Sequence, residues 1–149
     1  MKVPSATDSL KNLQKIGSLK AEHPDQAEFS GLLKSADRKI PDAENPSLSP
    51  ESRFTLAYDA AHSLALAALR WHGYRSENRY MVFQALAHTL SFPPAKWRFL
   101  DNCHGKRNAA LYEGGYADDE QLILELIAIA KDLRTKVAAL GPIKVEQGR

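Results

Sequence analysis

The sequence predicts an all-α fold, an antiparallel up-and-down bundle of about six helices. Three observations carry that expectation. Apolar residues recur at helical spacing almost throughout, while the strict alternation of a half-buried strand is scarce. Prolines and glycines fall between the periodic stretches rather than inside most of them. With 149 residues, 44% of them apolar, the chain suits one core and one domain covering residues 1–149.

The first helix is expected over about residues 8–21. Leu10, Leu13, Ile16 and Leu19 form a stripe, which Gly17 weakens by roughly 1 kcal/mol relative to Ala. His23-Pro24-Asp25 breaks the chain. Phe29, Leu32, Leu33, Ala36 and Ile40 then give a second amphipathic helix. Pro41 should end or bend it, since proline lacks the amide donor and crowds the preceding turn. After a loop, Ser49-Pro50 supplies an N-cap and a first-turn proline for a third helix running to His72. Gly73 follows as its C-terminal glycine. The middle of this helix, Ala60-Ala61-His62-Ser63-Leu64-Ala65, is apolar or small nearly all round, so it should be central.

A fourth helix is expected over about residues 79–90, and Ser91-Phe92-Pro93-Pro94 separates it from a fifth over about 94–111. Gly114-Gly115 stops the fifth. Asp118 and Gln121 form a capping-box-like start for a sixth, with Leu122, Ile123, Leu126, Ile127, Ala130 and Leu133 on its core face. Gly141-Pro142 stops it, and the tail should be loose. No strand is expected. In this reading the helices after residue 50 build the core, and the N-terminal pair, about residues 8–40, packs on its side.

Composition narrows the function classes. Twenty Lys and Arg against 18 Asp and Glu leave +2, too mild to announce a nucleic acid or a membrane. Residues 63–69 and 122–130 are the longest apolar stretches, too short to span a bilayer. The N-terminus lacks the apolar core of a secretory signal, so a cytoplasmic location is expected, with no membrane partner. Cys103 is the one cysteine, which excludes an intramolecular disulfide and a cysteine-based zinc site. There is no Gly-rich phosphate loop, no G-x-S-x-G and no H-E-x-x-H. His23, His62, His72, His88 and His104 show no i, i+4 pairing, so neither a metal nor another cofactor is expected. His62 reads as a hydrogen-bonded core histidine.

The fifth helix carries the candidate site. At about 100° per residue, His104, Asn108 and Tyr112 share one face, with Asp101 one turn before and Arg107 at its border. A carboxylate, an imidazole, a guanidinium, an amide and a phenol thus line up over about three turns. The polar outer face of a bundle helix produces the same pattern.

Arg107-Asn108-x-x-x-Tyr112 in a small helical chain resembles the signature of the HEPN superfamily. Arg53-Phe54-Thr55-Leu56-Ala57-Tyr58-Asp59, Ala67-Ala68-Leu69-Arg70, Gly73-Tyr74-Arg75 and Tyr112-Glu113-Gly114 are similar to a bacterial branch of it, as is Leu13-Gln14-Lys15-Ile16-Gly17. The resemblance implies an antiparallel bundle that dimerises. In active members it implies a metal-independent ribonuclease with an R-x4-6-H motif, two copies of which meet across the dimer cleft. Mapped here, the family Arg is Arg107 and the polar residue after it Asn108, while Tyr112 stands where the family has His. A histidine titrating near 6.5 suits a base for the ribose hydroxyl, and a tyrosine near 10 does not.

The expectation is therefore a dimeric module with a degenerate motif that binds RNA, a nucleotide or a protein partner. A minimal nucleotidyltransferase is one partner the resemblance implies. Two alternatives stay open. One is a divergent ribonuclease of toxin or defence type, with Arg107 on the phosphate and His104 or Tyr112 moving protons. The other is an adaptor bundle without a ligand.

Overall fold

The computed structural model describes residues 5–113 and 120–143, the side chains of 108–113 excepted. In chain order the elements are α1 (Ala6–Lys15), β1 (Lys20–Ala21), α2 (Gln26–Ala43), α3 (Pro50–Trp71), β2 (Tyr74–Arg75), α4 (Arg79–Gln84), α5 (Leu86–Thr89), α6 (Pro94–Glu113) and α7 (Glu120–Ala138). This is an all-α bundle. Its four long helices, α2, α3, α6 and α7, alternate in direction, and α4 and α5 bridge α3 to α6.

Side-chain ties show the directions. Arg70 near the end of α3 reaches Glu28 at the start of α2, and Arg53 near the start of α3 reaches the Ala43 carbonyl at the end of α2. Arg134 and Lys131 of α7 pair with Asp37 and Glu44, so α7 also runs against α2. Arg53 grips Glu120, which brings the first turns of α3 and α7 together and makes those two helices parallel. Lys96 at the start of α6 meets Asp132, late in α7.

As expected, α3 is central. Ala60, Ala61, Leu64, Ala67 and Ala68 are fully buried, and the alanines let α2 and α7 approach closely. Ser49 Oγ accepts the Ser52 amide as N-cap, and Gly73 leaves the helix at φ +88°. The apolar face of α7 is as read, with Ile123, Leu126, Ile127, Ala130 and Leu133 buried. No helix among the described residues is long and apolar enough to cross a membrane.

Four expectations are corrected. First, α1 stops at Lys15. Gly17, at φ +84°, closes it, as the Ser18 amide bonds to the Leu13 carbonyl and the Gly17 amide to the Gln14 carbonyl. Ile16 is left exposed. Second, Lys20 and Ala21 are a strand, paired antiparallel with Arg75 and Tyr74. Third, α2 is a core helix, the main partner of α3, and not a side layer. It also passes Pro41 and closes one turn later, where the Glu44 amide bonds to the Ile40 and Pro41 carbonyls. Fourth, the expected helix over 79–90 breaks at Ala85 into α4 and α5. The expected Asp118 cap, the Gly114-Gly115 stop and the end of the tail lie outside the described residues.

Candidate functional site

Three helices converge on Tyr58. Its ring is fully buried in α3, edge-on to Phe83 of α4 at 5.8 Å between centroids. Its hydroxyl lies 3.0 Å from His104 Nδ1 of α6 and 3.3 Å from a guanidinium nitrogen of Arg79, the first residue of α4. Arg79 and Arg107 both stand over the Tyr58 ring, 5.7 Å and 5.3 Å from its centroid. Asp59, the next residue of α3, has a carboxylate oxygen 3.9 Å from Arg107, within Coulomb range and beyond a hydrogen bond. His62, one turn on, is half-buried and edge-on to Phe83.

Part of the predicted stripe is thus turned inward. His104 and Arg107 face α3 and α4, both partly buried. Asp101 is close enough to His104 to favour its charged form. The side chains of Asn108 and Tyr112 lie outside the described residues.

Protonation follows from these surroundings. Burial pushes the Tyr58 phenol above its ordinary value and outweighs the two arginines, so the phenol keeps its proton. Arg79 donates to the Tyr58 oxygen, and the Tyr58 hydroxyl shares a second hydrogen bond with His104 Nδ1, whose direction is set by the imidazole tautomer. Burial lowers the His104 pKa, Arg79 and Arg107 add to that, and Asp101 opposes it.

His62 departs further, to about 4, through burial first and then the positive charges of Arg79, His104, Arg107 and Lys39. Its expected hydrogen bond is not found among the described residues. A pH dependence follows. Unfolded His62 takes a proton below about 6.5, whereas the folded residue does so only below about 4. Between those values the unfolded state binds more protons, so stability should fall as pH drops from about 6.5 to about 4. The loss from this residue should be on the order of 3 kcal/mol. His72, His88 and His104 are shifted the same way. Urea unfolding across that range measures the slope, and His62→Gln should reduce it; an unchanged slope in the variant would contradict the assignment.

The other motifs that carried the family resemblance hold the fold together. Arg53 donates from Nε to the Ala43 carbonyl and from one terminal nitrogen to both Glu120 oxygens. Arg70 and Arg75 share Glu22 and Glu28. Burial would raise the Glu28 carboxyl, but hydrogen bonds and charge from the two arginines outweigh it and hold the group below its ordinary value. Gly73 accepts the Glu22 amide on its carbonyl.

Arg79 and Arg107 differ from these structural arginines. Arg53, Arg70, Arg75 and Arg134 each close on a carboxylate within hydrogen-bond range. Among the described residues, Arg79 and Arg107 close instead over a neutral phenol, and only Arg107 has a carboxylate near, at 3.9 Å. Guanidinium donors not spent on a carboxylate are suited to an anion.

Sequence reasoning missed Tyr58, Asp59 and Arg79 as partners and set His62 aside. The one available signal was Tyr58-x-x-x-His62, one turn apart on the central helix. Among the described residues no three His, Cys, Asp or Glu side chains gather as a metal site requires. Cys103 is buried, and burial pushes its thiol up to about 12, so it is not a thiolate at neutral pH. Compared with family models, curated proteins and solved structures, the chain matches none.

Proposed function

We propose that the cluster around Tyr58 binds phosphate groups of RNA or of a nucleotide, and that the protein is a HEPN-like binding module acting as a homodimer. The observation that supports this reading is the pair Arg79 and Arg107. Two guanidiniums stand over one buried phenol, with Lys39 adding to the positive field felt at His62. A phosphate offers them what a carboxylate offers the structural arginines: charge and several acceptor oxygens. A nucleotidyltransferase partner is compatible with this reading and is not needed for it.

A second reading, metal-independent RNA cleavage, draws on His104. Its lowered pKa leaves the imidazole neutral at neutral pH, the charge state of a base. The contact with Tyr58 works against that role, because it engages Nδ1, one of the two ring nitrogens a base could use, with a group of the protein's own. Binding without cleavage is therefore the favoured reading.

Fluorescence anisotropy with a labelled RNA, and separately with a labelled nucleotide, tests it. Arg107→Ala and Arg79→Ala should each weaken binding by about 10-fold or more, the worth of a charge-assisted hydrogen bond. Arg107→Lys should recover only part, since a point charge cannot reproduce the fork. Binding that both alanine variants leave unchanged would overturn the assignment, and no binding by the wild type would favour an adaptor. Chelator-resistant cleavage that disappears in Arg107→Ala and His104→Ala would favour the ribonuclease.

A further inference from the structure

A cavity of about 390 Å³ opens between the loop that follows α1, the β1–β2 ribbon and the turn into α4. Its lining is separate from the cluster around Tyr58. The volume suits a small molecule and is too small for a folded partner. Lys20 and Arg75, both in the lining, are partners across the ribbon, so their side chains stand on one face, directly opposite each other. Like charges placed so repel. Arg75 is answered by Glu22 at Nε and by Glu28 at one terminal nitrogen, which fixes the guanidinium; its other terminal nitrogen has no partner among the described residues. Lys20 is exposed and pairs with no carboxylate among the described residues. Glu77 lines the same cavity, is also exposed, and pairs with neither cation. Met81 adds a half-buried apolar wall. Asn78, whose side-chain oxygen accepts the Met81 amide, keeps its NH2 as a donor.

We propose that this cavity binds a small zwitterion of the free α-amino acid class. Opposite charges that line one cavity without closing on each other leave room for a molecule that carries both. The carboxylate would lie between Lys20 and the pinned guanidinium of Arg75, the ammonium at Glu77, and the side chain against Met81. The pattern of signs selects this ligand. A chain of phosphates would meet Glu77, and a simple cation would meet Lys20 and Arg75. The inference stands apart from the phosphate-binding reading, which uses other arginines.

The test uses the full chain and isothermal titration calorimetry with each common L-amino acid at millimolar concentration. The N-acetylated form and the carboxamide of the tightest binder follow, and then inorganic phosphate. At least one amino acid should bind, and capping either end should weaken it by about 10-fold or more, the worth of a charge-assisted hydrogen bond. Lys20→Gln and Glu77→Gln should each weaken the free amino acid by about the same factor. Glu77→Gln should leave the N-acetylated form unchanged, because the ammonium is already gone, and Lys20→Gln should leave the carboxamide unchanged. Both residues are exposed, so the fold should survive, and circular dichroism checks this. Arg79→Ala and Arg107→Ala should bind the amino acid like the wild type. No binding of any amino acid by the wild type would overturn the proposal. So would binding that both glutamine variants leave unchanged, or binding lost in Arg107→Ala, which would move the ligand to the Tyr58 cluster. An N-acetylated form that binds as tightly as the free one, or phosphate that binds as tightly as either, would make this a plain anion site and overturn the zwitterion.

Discussion

Replacing Arg70 by methionine should destabilise the protein by about 3–5 kcal/mol, the cost of breaking a buried ion pair by removing one partner. The side chain is 1% exposed, and all three nitrogens are engaged. Nε donates to Glu28 at 2.6 Å, and one terminal nitrogen donates to the carbonyls of Glu22 and Tyr74. The other donates to the His23 carbonyl and pairs with Glu22. Methionine fills the stem's volume but satisfies none of these acceptors, so Glu28 would keep Arg75 alone and the carbonyls of Glu22, His23 and Tyr74 would lose their guanidinium donor. The same contacts join the end of α3 to the β1–β2 ribbon and the start of α2. Arg70→Lys should recover only part, because one ammonium cannot span acceptors arranged around a fork. Urea unfolding gives the number, and a loss under about 1 kcal/mol would show the network to be dispensable.

Tyr58→Ala should cost a similar amount, about 3–5 kcal/mol, by opening a ring-sized cavity between α3, α4 and α6. Tyr58→Phe separates packing from chemistry. It keeps the ring under both guanidiniums and removes only the hydroxyl that holds His104 and Arg79, so its stability loss should stay near 1 kcal/mol. RNA binding should nevertheless weaken, because Arg79 and His104 lose the group that positions them. Unfolding and anisotropy on the two variants check this together. Equal stability losses in both would mean that the hydroxyl, and not the ring, is the structural element. Unchanged binding by Tyr58→Phe would remove Tyr58 from the site.

The family-like motif at Arg107 was legible because it sits within one helix, where spacing fixes which side chains share a face. The partners were not, because each arrives from another element. Tyr58 read as one aromatic among many on α3, and Arg79 as the first polar residue after a turn. His62 read as a hydrogen-bonded core residue, yet it stands against Phe83 among positive charges. Nothing in linear spacing reports a neighbour 46 residues away, the separation between Tyr58 and His104.

By itself the sequence determined the helical class, the central position of α3 and its two ends, and the buried face of α7. Each rests on local rules: the 3.6-residue period, a serine before a proline, a glycine free to take positive φ. The tertiary structure alone decided the rest. It recruited Lys20 and Ala21 to a ribbon, because the strand opposite them is brought there by Arg70 and the end of α3. It placed α2 in the core, and it gathered two arginines and a histidine around one phenol. Such placements depend on which surfaces remain to be buried once the helices have formed, and the chain settles that only by packing.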